Sequence, residues 1–196
     1  MEEAENIALF DMDGTLCDHD LALFEELEKM RNPSEEKVIS LHAGRLPDYI
    51  KRRADVIRQQ EGWWESMPKF QLGWDVLEIA KKEGFRIMIL TQGPKDKPSG
   101  WSGKMKWLTK NLPGTDVTMT RDKGLVYGKM LVDDYPEYIR AWLKNRPRGL
   151  VIMPANDGNK EFKHPNVIRY TGKNLEEVKK AIKSIKERKA RQELKL

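Results

Sequence analysis

Asn6-Ile7-Ala8-Leu9-Phe10-Asp11-Met12-Asp13-Gly14-Thr15 decides how this chain is read, because an apolar run just long enough for one buried strand stops abruptly in two carboxylates. Side chains two apart on a strand point to the same side, so Asp11 and Asp13 face one pocket just past the strand's carboxyl end. Gly14 lets the chain turn at once. Two acids so close repel unless a cation sits between them or one keeps its proton, and either outcome separates their roles. One can attack while the other carries protons, which points to phosphoryl transfer. A D-x-D-G run also opens calcium loops, but those need further oxygen ligands at fixed steps and a closing Glu, and this sequence lacks them. A strand end merely capped by acids would hold two carboxylates beside apolar surface without a partner, at a cost.

Three further apolar runs end the same way. Phe85 to Leu90 leads into Thr91-Gln92-Gly93-Pro94, Lys129 to Val132 into Asp133-Asp134, and Gly149 to Met153 into Pro154-Ala155-Asn156-Asp157. Helical patterns cover Leu21–Met30, about Pro47–Gln60, Gly73–Glu83, Gly103–Leu112 and Tyr135–Asn145, and Asn32-Pro33-Ser34 before Glu36 and Lys37 reads as a stop followed by a fresh helix start. Strand–helix alternation of this kind predicts an α/β fold, a Rossmann-like parallel sheet with helices on both faces. Open parallel sheets bind ligands beyond the carboxyl ends of their strands, so Asp11, Asp13, Thr91, Asp133 and Asp134 are expected to converge. The stretch after the first strand is too long for an ordinary crossover. The expected organisation is therefore a core of residues 1–17 and 69–196 with a small helical cap inserted at 18–68.

At 196 residues, one packed core with an insertion is the natural size. No apolar stretch approaches bilayer length and no charged-then-apolar leader opens the sequence, so a soluble, cytoplasmic protein without a membrane partner is expected. Cys17 is the single cysteine, which suits a reducing compartment, and with no neighbour that would activate it the residue reads as a small filler. The net charge of +5 lies entirely in Lys173–Leu196, where nine Lys/Arg face four Asp/Glu. There Leu175, Val178, Ile182 and Ile185 make one apolar stripe, so a solvated terminal helix explains the charge and a nucleic-acid partner is not expected.

The basic cluster Lys51, Arg52, Arg53 and Arg58 is either solvated helix surface or an attractor for an anionic substrate. Trp74, Trp101, Trp107 and Trp142 are expected to pack between helices and sheet. Trp63 and Trp64, at the end of the inserted segment, either pack cap on core or stack on a base.

Asp11-Met12-Asp13-Gly14-Thr15, Thr91 after an apolar strand, a lysine, and Leu131-Val132-Asp133-Asp134 match in order the four motifs of the haloacid dehalogenase (HAD) superfamily. Thr91-Gln92-Gly93, Lys104 with Trp107, Thr120-Arg121-Asp122-Lys123, and Asp133-Asp134 followed by Pro136 resemble more narrowly the 5'(3')-deoxyribonucleotidase family. That resemblance implies a magnesium-dependent phosphomonoesterase acting on nucleoside monophosphates, 5'-deoxyribonucleotides foremost. Asp11 would be the nucleophile and Asp13 the acid and base. Mg2+ would be held by Asp11, the Asp13 backbone carbonyl and Asp134, with Asp133 as the water-linked neighbour. Thr91, Gln92 and Arg121 would bind phosphate together with Lys123 as principal lysine and Lys104 as supporting charge, and His19, Trp63 and Trp64 would meet the base. His19 stands where related nucleotidases place an aromatic ring. A homodimer is left open, no heptad being present. Two rivals remain: the same chemistry on a sugar phosphate, a phosphoglycolate or a polynucleotide end, and a non-catalytic nucleic-acid-binding module. Retention of the costly acid cluster argues against the latter.

Overall fold

Ile7–Phe10 form strand β1, wholly buried and bonded on both edges. The computed structural model describes residues 6–42, 46–95 and 97–188. Among them five more strands follow: β2 (Arg86–Thr91), β3 (Asp116–Met119), β4 (Met130–Val132), β5 (Leu150–Pro154) and β6 (Val167–Tyr170). All pairings are parallel, in the order β3-β2-β1-β4-β5-β6. The chain runs outward from β1 through β2 to β3, then crosses back to start β4 on the other side of β1. The crevice beside β1 is thus the topological switch point, where such sheets bind ligands.

Side-chain alternation divides the core between the two faces of the sheet. Ala8 and Phe10 join Ile89, Met130, Val132 and Ile152 in one cluster, which also takes Val76, Leu77 and Ala80 from helix α4 (Gln71–Lys82) and Val178, Ile182 and Ile185 from helix α7 (Leu175–Glu187). Leu9, Leu90, Leu131, Val151 and Met153 join Ile139, Trp142 and Leu143 of helix α6 (Pro136–Asn145) in the other. Because both faces are covered, the central strands read as unbroken apolar runs. Each fully buried aliphatic side chain of α7 stabilises the fold by about 1.5–3 kcal/mol, so the apolar stripe holds that basic helix in place.

Between β1 and α4 lie α1 (His19–Lys29), α2 (Asp48–Gln59) and α3 (Trp63–Ser66). Asp18 caps α1, accepting from the Leu21 N–H at 3.0 Å. Helix α3 packs on α5 (Pro98–Asn111) so closely that a Cβ on Gly103 would stand 2.7 Å from the Trp64 Cβ. The Trp107 indole N–H donates to the Met67 carbonyl at 2.7 Å, tying the stretch after α3 to α5.

Several expectations need correction. Strands β3 and β6 escaped the sequence reading because they are four-residue edge strands, half-exposed and without an apolar run. The helix start expected after Asn32 is not formed. Asn32 Oδ1 instead accepts from the Ser34 N–H at 3.0 Å and its hydroxyl at 2.8 Å, a local turn that competes with helix. Helix α5 begins at Pro98, five residues before Gly103, with proline in the first turn where its missing N–H is harmless. Trp101 is 38% exposed and donates to the Pro94 carbonyl rather than packing on the sheet. Trp107 and Trp142 are buried, and half-buried Trp74 donates to the Leu16 carbonyl. Cys17 is a buried thiol donating to the Met12 carbonyl, and burial followed by the Asp13 charge pushes its pKa well up. Residues 189–196 of the basic tail lie outside the described residues. No helix among the described residues is long and apolar enough to cross a membrane.

Candidate active site

Asp11 continues the β1 ladder by one residue, its N–H donating to the Val132 carbonyl at 2.8 Å. Register therefore sets Asp11 beside the acids that follow β4. Lys123, in the short 3-10 turn Lys123–Leu125 that Asp122 caps, places its ammonium 2.8 Å from both Asp11 Oδ1 and Asp133 Oδ2. All three are buried. Burial moves the Asp133 carboxyl upward against the pull of Lys123, and the Lys123 ammonium is held above its usual range because the two carboxylates outweigh its desolvation. Asp134 is driven well up by burial and then by the charges of Asp133 and Asp11. One carboxylate oxygen from each of Asp11, Asp133 and Asp134 lies within 4.8 Å of the others. Three acids against one shared lysine form a hard-oxygen, net negative donor set, and its chemistry fits a divalent cation. Gly14 makes this closeness attainable. Its φ is +68°, and a Cβ there would stand 2.5 Å from Asp134 Oδ2.

Asp13 turns toward a different lysine. Lys104 Nζ, buried on α5, lies 2.5 Å from Asp13 Oδ2, 2.7 Å from the Gln92 carbonyl and 3.3 Å from Thr91 Oγ1. Burial would raise the Asp13 carboxyl, but the charges of Lys104 and then His19, with the Lys104 hydrogen bond, carry it below its ordinary value. Gln92 Oε1 accepts from the Tyr138 hydroxyl, and Lys123 Nζ lies 4.5 Å over the Tyr138 ring. Arg121 donates to the Gly93 carbonyl at 3.0 Å. Thus Asp11, Asp13, Thr91, Gln92, Lys104, Arg121, Lys123, Asp133 and Asp134 come together at the carboxyl ends of β1, β2, β3 and β4. The two lysines have separate neighbours: Lys123 joins the acids of β1 and β4, while Lys104 joins Asp13 to the end of β2.

The same cleft, of about 740 Å3, extends to His19, Trp64 and Arg58. The His19 ring lies edge-on to Trp63 at 5.5 Å between centroids and 6.1 Å from Trp64, and the two tryptophans stand at 80° to each other. Trp63 is behind this wall, buried and outside the cleft lining, so of the pair Trp64 is the one the cleft reaches. Arg58 Nε donates to His19 Nε2 at 3.4 Å, and His19 Nδ1 faces Asp20 Oδ1 at 3.2 Å. Of the basic cluster on α2, Lys51 and Arg58 line the cleft, Arg53 pairs with Glu35, and Arg52 is exposed.

Two residues at the site were not singled out from sequence. Asn156, after β5, donates to Asp134 Oδ2 at 2.7 Å. Its position at a strand end beyond an apolar run was the available signal. Tyr138, on the first turn of α6, carried none.

A family model described as "5' nucleotidase, deoxy (Pyrimidine), cytosolic type C protein" matches residues 5–186. Among solved structures the chain is similar to a putative haloacid dehalogenase-like hydrolase from Burkholderia xenovorans LB400, at 15% identity over 88% of this chain and 96% of that one, TM-score 0.50. It is similar also to a putative β-phosphoglucomutase from Bacteroides vulgatus, at 15% identity over 95% and 93%, TM-score 0.51. A third is a haloacid dehalogenase-like family hydrolase from Xanthomonas campestris, at 12% identity over 94% and 93%, TM-score 0.51. At such identities the likeness shows the shared fold alone. No curated protein matches the chain.

Proposed function

The chain belongs to the type C deoxy-5'-nucleotidase family and is a phosphoric monoester hydrolase of that kind, and from this premise we propose that it hydrolyses nucleoside monophosphates, 5'-deoxyribonucleotides foremost, through an aspartyl-phosphate on Asp11. The observation that carries the reading is the meeting of Asp11, Asp133, Asp134 and Lys123 in one cleft with the Asp13–Lys104 pair, and with His19 and Trp64 farther along its wall.

Asp11 attacks phosphorus as the ester oxygen leaves. Asp13 hands its proton to that oxygen, then takes one from the water that cleaves the acyl phosphate. Lys123 pairs with Asp11 and neutralises charge on the phosphoryl group, with Lys104, Thr91, Gln92 and Arg121 as further donors. Lys104 must loosen from Asp13 as phosphate arrives, which frees the carboxylate to take up its proton. Asp11, the Asp13 backbone carbonyl and Asp134 would hold magnesium, with Asp133 behind, and the bound ion would offset repulsion between phosphate and nucleophile. Residues 18–68 act as a cap bringing His19 and Trp64 to the base, with Trp63 packed behind them. A cytosolic setting follows the family's name.

The test is a phosphate-release screen of nucleoside monophosphates and sugar phosphates with and without Mg2+, with Asp11→Asn as the inactive control. Preference for deoxynucleotides that needs the metal supports the reading. Equal turnover of sugar phosphates would overturn the substrate, and full turnover by Asp11→Asn would overturn the mechanism. Trp64→Ala should raise KM for nucleotides while leaving turnover of a phosphate ester without a base intact.

A further inference from the structure

Arg169 stands on the edge strand β6, thirty-five residues after Asp134, yet a continuous run of hydrogen bonds connects the two. Asn156 Oδ1 accepts from the Asn159 N–H at 3.0 Å, and this commits the side-chain amide to one orientation with its NH2 turned to Asp134 Oδ2, 2.7 Å away. Asn159 is wholly buried. Its Oδ1 accepts from the Asn156 N–H at 3.1 Å and from Arg169 Nε at 2.9 Å, while its amide donates to the carbonyls of Pro154 at 2.8 Å and of Asp134 itself at 3.0 Å. Arg169 Nη2 completes the ring by donating to the Asn156 carbonyl at 3.0 Å.

We infer that Asn156, locked by Asn159 and Arg169, is a positioning residue that aims the Asp134 carboxylate at the metal; the inference rests on the metal-dependent reading above. The choice of partner is informative. Lys123 is shared as an ion-pair partner by Asp11 and Asp133, whereas Asp134 receives a neutral amide at the same kind of distance. An amide fixes the plane of a carboxylate without cancelling its charge, so the negative charge stays available to a cation. A lysine in that place would have competed with the metal. Gly14 packs closely on the same carboxylate, where a Cβ would stand within 3 Å of both Asp134 oxygens. The carboxylate thus meets both a fixed donor and close-packed backbone, and the loop after β5 becomes a bracket that carries the register of β6 into the metal site. Partners of this kind around metal ligands are worth about 10–100-fold in metal affinity.

The test titrates metal-free protein with Mn2+ by calorimetry and measures melting with and without the ion. Asn156→Ala should bind Mn2+ about 10–100-fold more weakly while melting near the wild type when metal-free. Arg169→Ala should weaken binding in the same direction, and Arg169→Lys should fall between it and the wild type. A merely structural bracket would do the reverse, lowering metal-free melting and leaving the dissociation constant alone. Asp134→Asn is the control. Wild-type protein that binds no Mn2+ would overturn the metal reading as a whole. Wild-type affinity in Asn156→Ala, with binding abolished in Asp134→Asn, would overturn this inference alone.

Discussion

Lys123→Met keeps the bulk of the side chain and removes the cation that Asp11 and Asp133 share at 2.8 Å each. All three side chains are at most 8% exposed, so solvent does little to screen the loss. Removing one partner of a buried pair costs about 3–5 kcal/mol, because the remaining charge stays buried. Here two carboxylates would be left facing each other, with Asp134 adjacent. In a domain of this size each kcal/mol moves the melting temperature by about 2–4 °C, so a fall of about 6–20 °C is expected. The pH dependence fixes the cause. Asp133 already titrates above its ordinary value because burial raises it and Lys123 only partly opposes, and without Lys123 it rises further. A carboxyl with a folded pKa above its unfolded value of about 3.9 costs stability at higher pH. That cost fades as pH falls through the folded pKa, so the deficit of the variant should shrink from about pH 7 to about pH 5. The assay is calorimetric melting in a chelator across that range. Melting within about 2 °C of the wild type, equivalent to less than about 1 kcal/mol, would refute the reasoning, as would a deficit that grows on acidification.

Lys104→Gln, which leaves a polar group near Asp13 but removes the charge beside Thr91 and Gln92, should lower kcat/KM by about 10²–10³, the usual cost of one donor to a reacting group; steady-state kinetics with a loss under threefold would contradict its assigned role. Gly14→Ala combines a φ of +68° with a Cβ 2.5 Å from Asp134 Oδ2, so weakened metal binding is expected together with a stability loss of about 1–3 kcal/mol, read by calorimetry and denaturant unfolding. His42 Nε2 lies 2.6 Å from Asp20 Oδ2, and that hydrogen bond raises the His42 pKa although burial opposes it. For Asp20, burial pushes upward, but hydrogen bonds from His19 and His42 outweigh it and hold the carboxyl low. The histidine contribution is complete below its unfolded pKa of about 6.5 and lost as pH rises through the folded value; that of Asp20 is present above about 3.9 and lost in acid. His42→Ala should therefore cost most near pH 5 and progressively less above neutrality, by at most about 1 kcal/mol since both partners are about one-third exposed; a difference flat across that range would rule the pair out as its source.

The acids were legible because their signal is local. Asp11 and Asp133 each follow a central strand whose two buried faces make an apolar run, and a charged residue at the end of such a run has few explanations other than a site. The edge strands were not, since β3 and β6 expose much of their surface and carry no run to read. That omission propagates, because Arg169 can be connected with Asp134 only once β6 is known to lie beside β5. Asn32 was misread for the opposite reason: its turn chemistry is as local as a helix cap, and the same residue types serve both. The lysines show the limit of spacing itself. Lys104 and Lys123 fit the pattern of a phosphate lysine about equally well in sequence, and a ranking presumes that they compete for one role. Their neighbours divide the work instead. One cation lies 2.8 Å from Asp11, the proposed nucleophile, while the other lies 2.5 Å from Asp13, the proposed proton donor, and 3.3 Å from Thr91, a proposed phosphate ligand. Substitution at the two positions should accordingly differ in kind, with Lys123 governing fold stability as well as turnover and Lys104 governing turnover alone.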